Sequence, residues 1–140
     1  MPFHEKSAWI VSAALLLGGA FYFAVVAAMS SASGRLAPPT LPLVAAYTVL
    51  LVIAAVAGHI VAALAAPKEA NTPLDEREKT ITHRAGHLSG YVIGAGVIVS
   101  LGLYLFSYDG NLLFYAVFAT LMLSQLAEYA LQIRLYRSAL

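Results

Sequence analysis

The sequence predicts an all-α, polytopic membrane protein whose four transmembrane helices form one bundle. The chain has 140 residues, of which 61% are hydrophobic and 11% are charged, whereas a soluble domain carries about 25% charged residues. Its charges cluster and leave four long gaps without Asp, Glu, Lys or Arg, at residues 7–34, 36–67, 85–108 and 110–127. Because about 20 apolar residues cross a bilayer core, each gap is interpreted as one span of a single domain, residues 1–140.

The first two spans are separated by a loop that cannot be helical. Span one is predicted at residues 7–29, as a retained span, because its apolar run exceeds the about 7–15 residues of a signal-peptide core. Pro38 and Pro39 interrupt helix formation in the loop that follows. Span two is then predicted at residues 41–66.

Residues 67–85 form the only sizeable polar region and are predicted to be a cytoplasmic loop. Thr72 has the character of a helix N-cap, so we expect a helix from Pro73 that continues into span three at residues 86–107. At 1.5 Å per residue this helix would be roughly 50 Å long, which exceeds the hydrocarbon layer of about 30 Å. Span four is predicted at residues 112–133.

Lysine and arginine are distributed unequally between the two predicted sides of the membrane. One side carries only Arg35. The other side carries Lys6, Lys68, Arg77, Lys79, Arg84, Arg134 and Arg137. Since basic residues accumulate in cytoplasmic loops, both termini and the charged loop are expected in the cytoplasm.

Several classes of function leave no signal in the sequence. The net charge is +1 and cysteine is absent, so direct nucleic-acid binding, disulfides and thiolate metal sites are not predicted. No sequence pattern typical of a catalytic site is present, and we expect neither enzyme activity nor a cofactor. His83 and His87, four residues apart, would bind a metal only if other ligands joined them. They are interpreted as interfacial histidines, and no metal site is predicted.

Small residues recur every fourth position in spans two and three, which permits close helix packing in lipid. The two stripes are Ala54, Gly58 and Ala62 in span two and Gly86, Gly90 and Gly94 in span three. We expect spans two and three to pack against each other through these stripes. The alternative is that the glycine stripe faces its own copy in a homodimer, and the spacing alone does not separate the two.

Two ionisable residues lie inside predicted spans, and such residues are functional candidates because they are costly in a membrane. His59 and Glu128 lie at depths that differ by only about 3 Å, so they could meet, with Gln125 on the Glu128 face. A proton relay or small-cation site is one interpretation. A structural clasp, or a Glu128 side chain that reaches toward the cytoplasm, is the simpler one.

The charged loop carries a candidate docking face, which we define as Asp75, Glu76, Arg77, Lys79 and Arg84. Its charges nearly cancel, unlike the polybasic segments that bind anionic lipid. A balanced helical charge face suits a cytoplasmic protein partner. The alternative is a solvated helix end that holds only local ion pairs.

The stretch DEREKTITHRAGHLSGYV, residues 75–92, resembles a segment of a family of small four-span proteins of the bacterial inner membrane. The matching positions are Asp75, Glu76, Arg77, Ile81, Arg84 and Ala85. That family has no assigned activity, so the resemblance implies no catalytic residue. Some of its members are associated with a small DNA-binding regulator, which implies a membrane-bound sensor or anchor.

The leading hypothesis is a non-enzymatic regulatory or accessory subunit of the bacterial inner membrane that acts through the docking face. The alternative is a small proton- or cation-coupled transporter or channel that uses His59 and Glu128. A redox protein that binds a cofactor is a third and weaker candidate. The lipid bilayer and a second copy of the chain are the other expected partners.

Overall fold

A computed structural model describes residues 3–65, 67, 73 and 75–138 of the chain. Within these residues the structure is helical and contains no strand. The four long helices are α1 (Phe3–Ser33), α2 (Leu41–Ala65), α3 (Glu76–Ser107) and α4 (Gly110–Ser138). Each is long and apolar enough to cross a membrane, which confirms the predicted all-α class and four-helix bundle.

α1 is longer than predicted at its carboxyl end. The helix continues through Ser33. The Ser31 and Ser33 hydroxyls donate to the carbonyls of Ala27 and Met29, at 2.9 and 3.0 Å, so these polar side chains are satisfied within the helix. Gly34 follows with φ of 66°, a left-handed conformation that glycine adopts without a steric penalty. The chain then turns toward α2.

α3 begins at Glu76 rather than at Pro73, because Asp75 supplies the N-cap. The Asp75 carboxylate accepts a hydrogen bond from the Glu78 amide at 2.7 Å, and the Glu78 carboxylate accepts one from the Asp75 amide at 3.3 Å. This reciprocal pair is a capping box. The predicted cap, Thr72, lies outside the described residues. With 32 residues, α3 is about 48 Å long, longer than the hydrocarbon layer, as predicted.

We expect Asp75→Ala to fray the first turn of α3, because the Glu78 amide loses its acceptor. The cost should be about 1 kcal/mol, whereas Asp75→Asn, which retains an acceptor, should cost less. Amide hydrogen exchange over residues 76–80 measures the effect directly. Unchanged protection of the Glu78 amide in the alanine variant would contradict the capping role.

The helices pack in the order α2, α1, α4, α3. α1 packs against both α2 and α4, and α3 packs against α4, but among the described residues α2 and α3 have no comparable contact. The predicted packing of spans two and three is therefore wrong. Glycines of α2 and α3 instead allow close approach of other helices. A Cβ at Gly58 would overlap Ile10 of α1, and a Cβ at Gly96 would overlap Thr120 of α4.

A cluster of aromatic side chains holds α1, α2 and α4 together at one end of the bundle. Tyr22 is fully buried, and its ring meets that of Tyr47 edge-on, with centroids 5.5 Å apart. The Tyr115 hydroxyl donates to the Ala37 carbonyl at 3.0 Å. This hydrogen bond attaches the loop between α1 and α2 to the start of α4.

Candidate functional site

The start of α1, the end of α4 and the start of α3 lie at the opposite end of the bundle, which we call the terminal end. Arg137 of α4 donates from Nε to the Glu5 carboxylate of α1 at 3.2 Å, and its guanidinium lies 5.4 Å from the centre of the Trp9 ring. A groove lies between α3 and α4. Its lining includes Arg77, Thr80, Ile81, Arg84, Leu135 and Ser138. The candidate docking face therefore lies at the same end as both termini.

All five predicted docking residues are exposed. Lys79 and Glu76 form an ion pair at 2.7 Å, and both side chains are more than half exposed. Arg77 and Arg84 form no ion pair with the part of the chain that the structure describes. Because an exposed ion pair contributes only about 0–1 kcal/mol, the Glu76–Lys79 pair can be exchanged for contacts with a partner at little cost.

The start of α3, which carries the candidate docking face, also has buried residues that pack against α4. Ile81 is 7% exposed and Ala85 is 0% exposed, and α3 packs against α4. Ile81 and Ala85 anchor the segment by apolar contacts. Arg77 and Arg84 flank Ile81 along the groove against α4, with their side chains exposed. The capping box and these buried residues hold the backbone of the candidate docking face.

His59 is held within the α1–α2 pair. Its Nδ1 lies 2.6 Å from the Ala55 carbonyl, so Nδ1–H donates there and Nε2 can accept from the hydroxyl of Ser7. Both ring nitrogens therefore have hydrogen-bond partners within the chain. The geometry describes a histidine that links two helices.

Glu128 is held within the α3–α4 pair instead. Its carboxylate lies 3.3 Å from the Ser89 hydroxyl, whose one proton is shared with the Gly86 carbonyl at 2.9 Å, and 3.5 Å from the Gln132 amide. The predicted partner Gln125 is exposed, whereas Gln132 is 8% exposed. The contact between Glu128 and His59 that the sequence left open is not formed, because similar depth in the membrane does not make two helices neighbours.

The six predicted packing residues are divided among different surfaces. A Cβ at Gly86 would lie 3.7 Å from the Glu128 carboxylate, while Gly90 and Gly94 are exposed with no atom of another residue near their Cβ positions. In α2, Ala54 is exposed and Ala62 is buried. Only part of each stripe takes part in packing within the chain, and a homodimer through α3 stays a prediction.

Sequence reasoning missed the residues that join one helix to another. Ser7 was not recognised as the partner of His59. The Glu5–Arg137 pair was missed because 132 positions separate its members. The available signal was chemical: Glu5 is the only acid before span one, and Arg137 lies in the last predicted cytoplasmic segment.

The length and composition of the four helices define a multi-pass membrane protein. Among the described residues, no group of three or more His, Cys, Asp or Glu side chains could hold a metal ion. Comparison with protein-family models, curated proteins and solved structures finds no match for the chain. The class of protein therefore rests on the fold.

Proposed function

We propose that this protein is a non-enzymatic regulatory or accessory subunit that docks a cytoplasmic protein through the docking face. The observation that carries the proposal is the preformed surface at the start of α3. It is capped by Asp75, anchored through Ile81 and Ala85, and exposed along its charged side. Because the backbone of this segment is already helical, binding costs little backbone conformational entropy, and this favours recognition.

The charges of the docking face suggest the chemistry of the partner. Arg77 and Arg84 are exposed and lack an ion pair among the described residues. A guanidinium binds carboxylates in a directional, bidentate geometry. The partner we propose therefore presents two acidic side chains toward these arginines.

The proposal includes a location in the bacterial inner membrane, with both termini in the cytoplasm. The strong excess of lysine and arginine on one predicted side supports this orientation. The contact between Glu5 and Arg137 is consistent with it, since it brings the two ends of the chain to the same end of the bundle. A homodimer within the membrane is the oligomeric form that we propose.

A charge-reversal pull-down tests the docking proposal. The variant Arg77→Glu/Arg84→Glu should lose a partner that wild-type protein retains from native membranes in mild detergent, because both carboxylate contacts become repulsive. Arg134→Glu is compared with the single variant Arg77→Glu, because both change the net charge equally and Arg134 is also exposed near the terminal end. Cross-linked partners are compared by quantitative mass spectrometry, with folding checked by circular dichroism.

The docking proposal fails if the double variant and wild type recover the same partners in the same amounts. It also fails if Arg134→Glu weakens the interaction as much as Arg77→Glu does, because the effect would then follow net charge and not the docking face. Transport is the weaker candidate. The relay that it required, from His59 to Glu128, is replaced by contacts within two separate helix pairs.

A further inference from the structure

α3 has one long face that no other helix of the described chain covers. His83, His87, Gly90, Tyr91 and Gly94 are all exposed. Steps of three or four residues keep them on one side of a helix with 3.6 residues per turn. The histidines lie toward the amino end of this face and the glycines follow toward its middle.

The two histidines are arranged as metal ligands commonly are on a helix. They are one turn apart, so their imidazoles project from the same side. His87 is also oriented by Tyr91, whose hydroxyl lies 3.3 Å from Nε2 and whose ring meets the imidazole edge-on. When Nε2–H donates to that hydroxyl, the lone pair of Nδ1 is available. A hydrogen bond on the second ring nitrogen is how proteins orient histidine ligands.

One chain alone offers an incomplete site. The described residues contain no group of three or more potential ligands, and His83 and His87 supply two of the four that tetrahedral zinc requires. No other described residue completes the set. The rest of the uncovered face of α3 is suited to packing against a second copy of the chain, which would supply the other ligands.

Gly90 and Gly94 provide the approach for that second copy. A Cβ at either position would meet no atom within 4 Å, and small residues four positions apart allow membrane helices to associate closely. Copies inserted in the same direction are related by a twofold axis along the membrane normal, so each residue faces its own counterpart. With helix axes about 8–10 Å apart, imidazoles from both copies can reach a common ion.

We infer that two copies of the chain form one divalent transition-metal site, in which His83 and His87 of each copy bind a single Zn²⁺ ion. Neutral imidazole is a preferred ligand of zinc. Lys79 and Arg84 lie nearby and oppose the charge of the cation, although Lys79 is already paired with Glu76. The inference rests on the proposed homodimer. The site adjoins the docking face, since Lys79 and Arg84 line the same groove as the two histidines, but its ligands and seam are other residues of α3.

Zinc titration of the full-length protein in mild detergent tests the inference. Calorimetry and light scattering should give one Zn²⁺ per two chains, and zinc should increase the dimer fraction. His83→Ala or His87→Ala should each weaken Zn²⁺ binding at least about tenfold, because each substitution removes two of the four ligands from the dimer. Both variants should remain folded, since the two side chains are exposed.

A glycine variant separates the shared site from a site within one chain. Gly90→Leu/Gly94→Leu should reduce both dimerisation and Zn²⁺ affinity while leaving both histidines in place. Gly102→Leu is the control, because Gly102 is also on α3 with open space at its Cβ but lies away from the stripe. One zinc per chain, zinc affinity unchanged in the glycine variant, or no binding at millimolar Zn²⁺ would each overturn the inference.

Discussion

Gly96→Ala should separate α3 from α4 and lower the free energy of unfolding by about 1–3 kcal/mol, the usual cost of overpacking. A Cβ at this position would overlap the γ atoms of Thr120 and lie 3.0 Å from the Thr120 Cβ. Rotation of the threonine side chain cannot move its own Cβ, so the helices themselves must shift. The change also disturbs a side chain whose hydroxyl bonds to the Ala116 carbonyl at 2.9 Å.

The matched control for this prediction is Gly102→Ala. Gly102 is on the same helix, and a Cβ there would meet no atom within 4 Å. Because alanine favours a helix over glycine by about 1 kcal/mol, the control should be neutral or stabilising. Trp9 is the only tryptophan, so its fluorescence during denaturation in mixed micelles can report unfolding. Equal stability of the two alanine variants would contradict the tight contact at Gly96.

The existence of the four helices could be predicted from the sequence because the membrane leaves few alternatives. Backbone groups in lipid must be satisfied internally, so each long uncharged segment predicts a helix. The helix ends were less predictable, since they depend on local polar groups. α1 continues to Ser33, beyond the predicted boundary, and the Asp75 carboxylate starts α3 three residues later than expected.

The neighbours of each helix could not be predicted from the small-residue stripes. Spacing identifies which face of a helix permits close approach, but it carries no information about the partner. Gly58 of α2 packs closely against Ile10 of α1, and Gly96 of α3 packs closely against Thr120 of α4. Two helices with similar stripes therefore pack against different helices. The same limitation applies to His59 and Glu128, because rise per residue gives depth and not the arrangement of helices around the bundle.

The candidate docking face was more predictable than the polar residues within the spans. Its charges made exposure the expected result, and the positions of Arg77 and Arg84 on a helix follow from local sequence. The anchoring side was also accessible in principle, because Ile81 and Ala85 are four residues apart among charges. What the sequence did not contain was the packing of that side against α4.

Arg137→Ala should lower the free energy of unfolding by about 1–2 kcal/mol, because it removes a charge-assisted hydrogen bond from a buried acid. The Arg137 side chain is 61% exposed, so solvent screens part of the interaction. Glu5 is 6% exposed and accepts from Arg137 at 3.2 Å. The substitution also removes the guanidinium from the face of Trp9, a contact worth about 0.5–1 kcal/mol at an exposed site. Arg134→Ala, an exposed arginine three residues away, should change stability by no more than about 0.5 kcal/mol.

A double-mutant cycle with Glu5→Gln identifies which of the two contacts holds the chain ends together. Glutamine keeps the shape of the side chain but carries no charge, so Arg137→Ala should cost less in this background than in wild type. The difference measures the coupling between Glu5 and Arg137, which we expect to be about 1–2 kcal/mol for residues in direct contact. An equal cost in both backgrounds would assign the stabilisation to Trp9. The ion pair would then contribute nothing to closing the terminal end of the bundle.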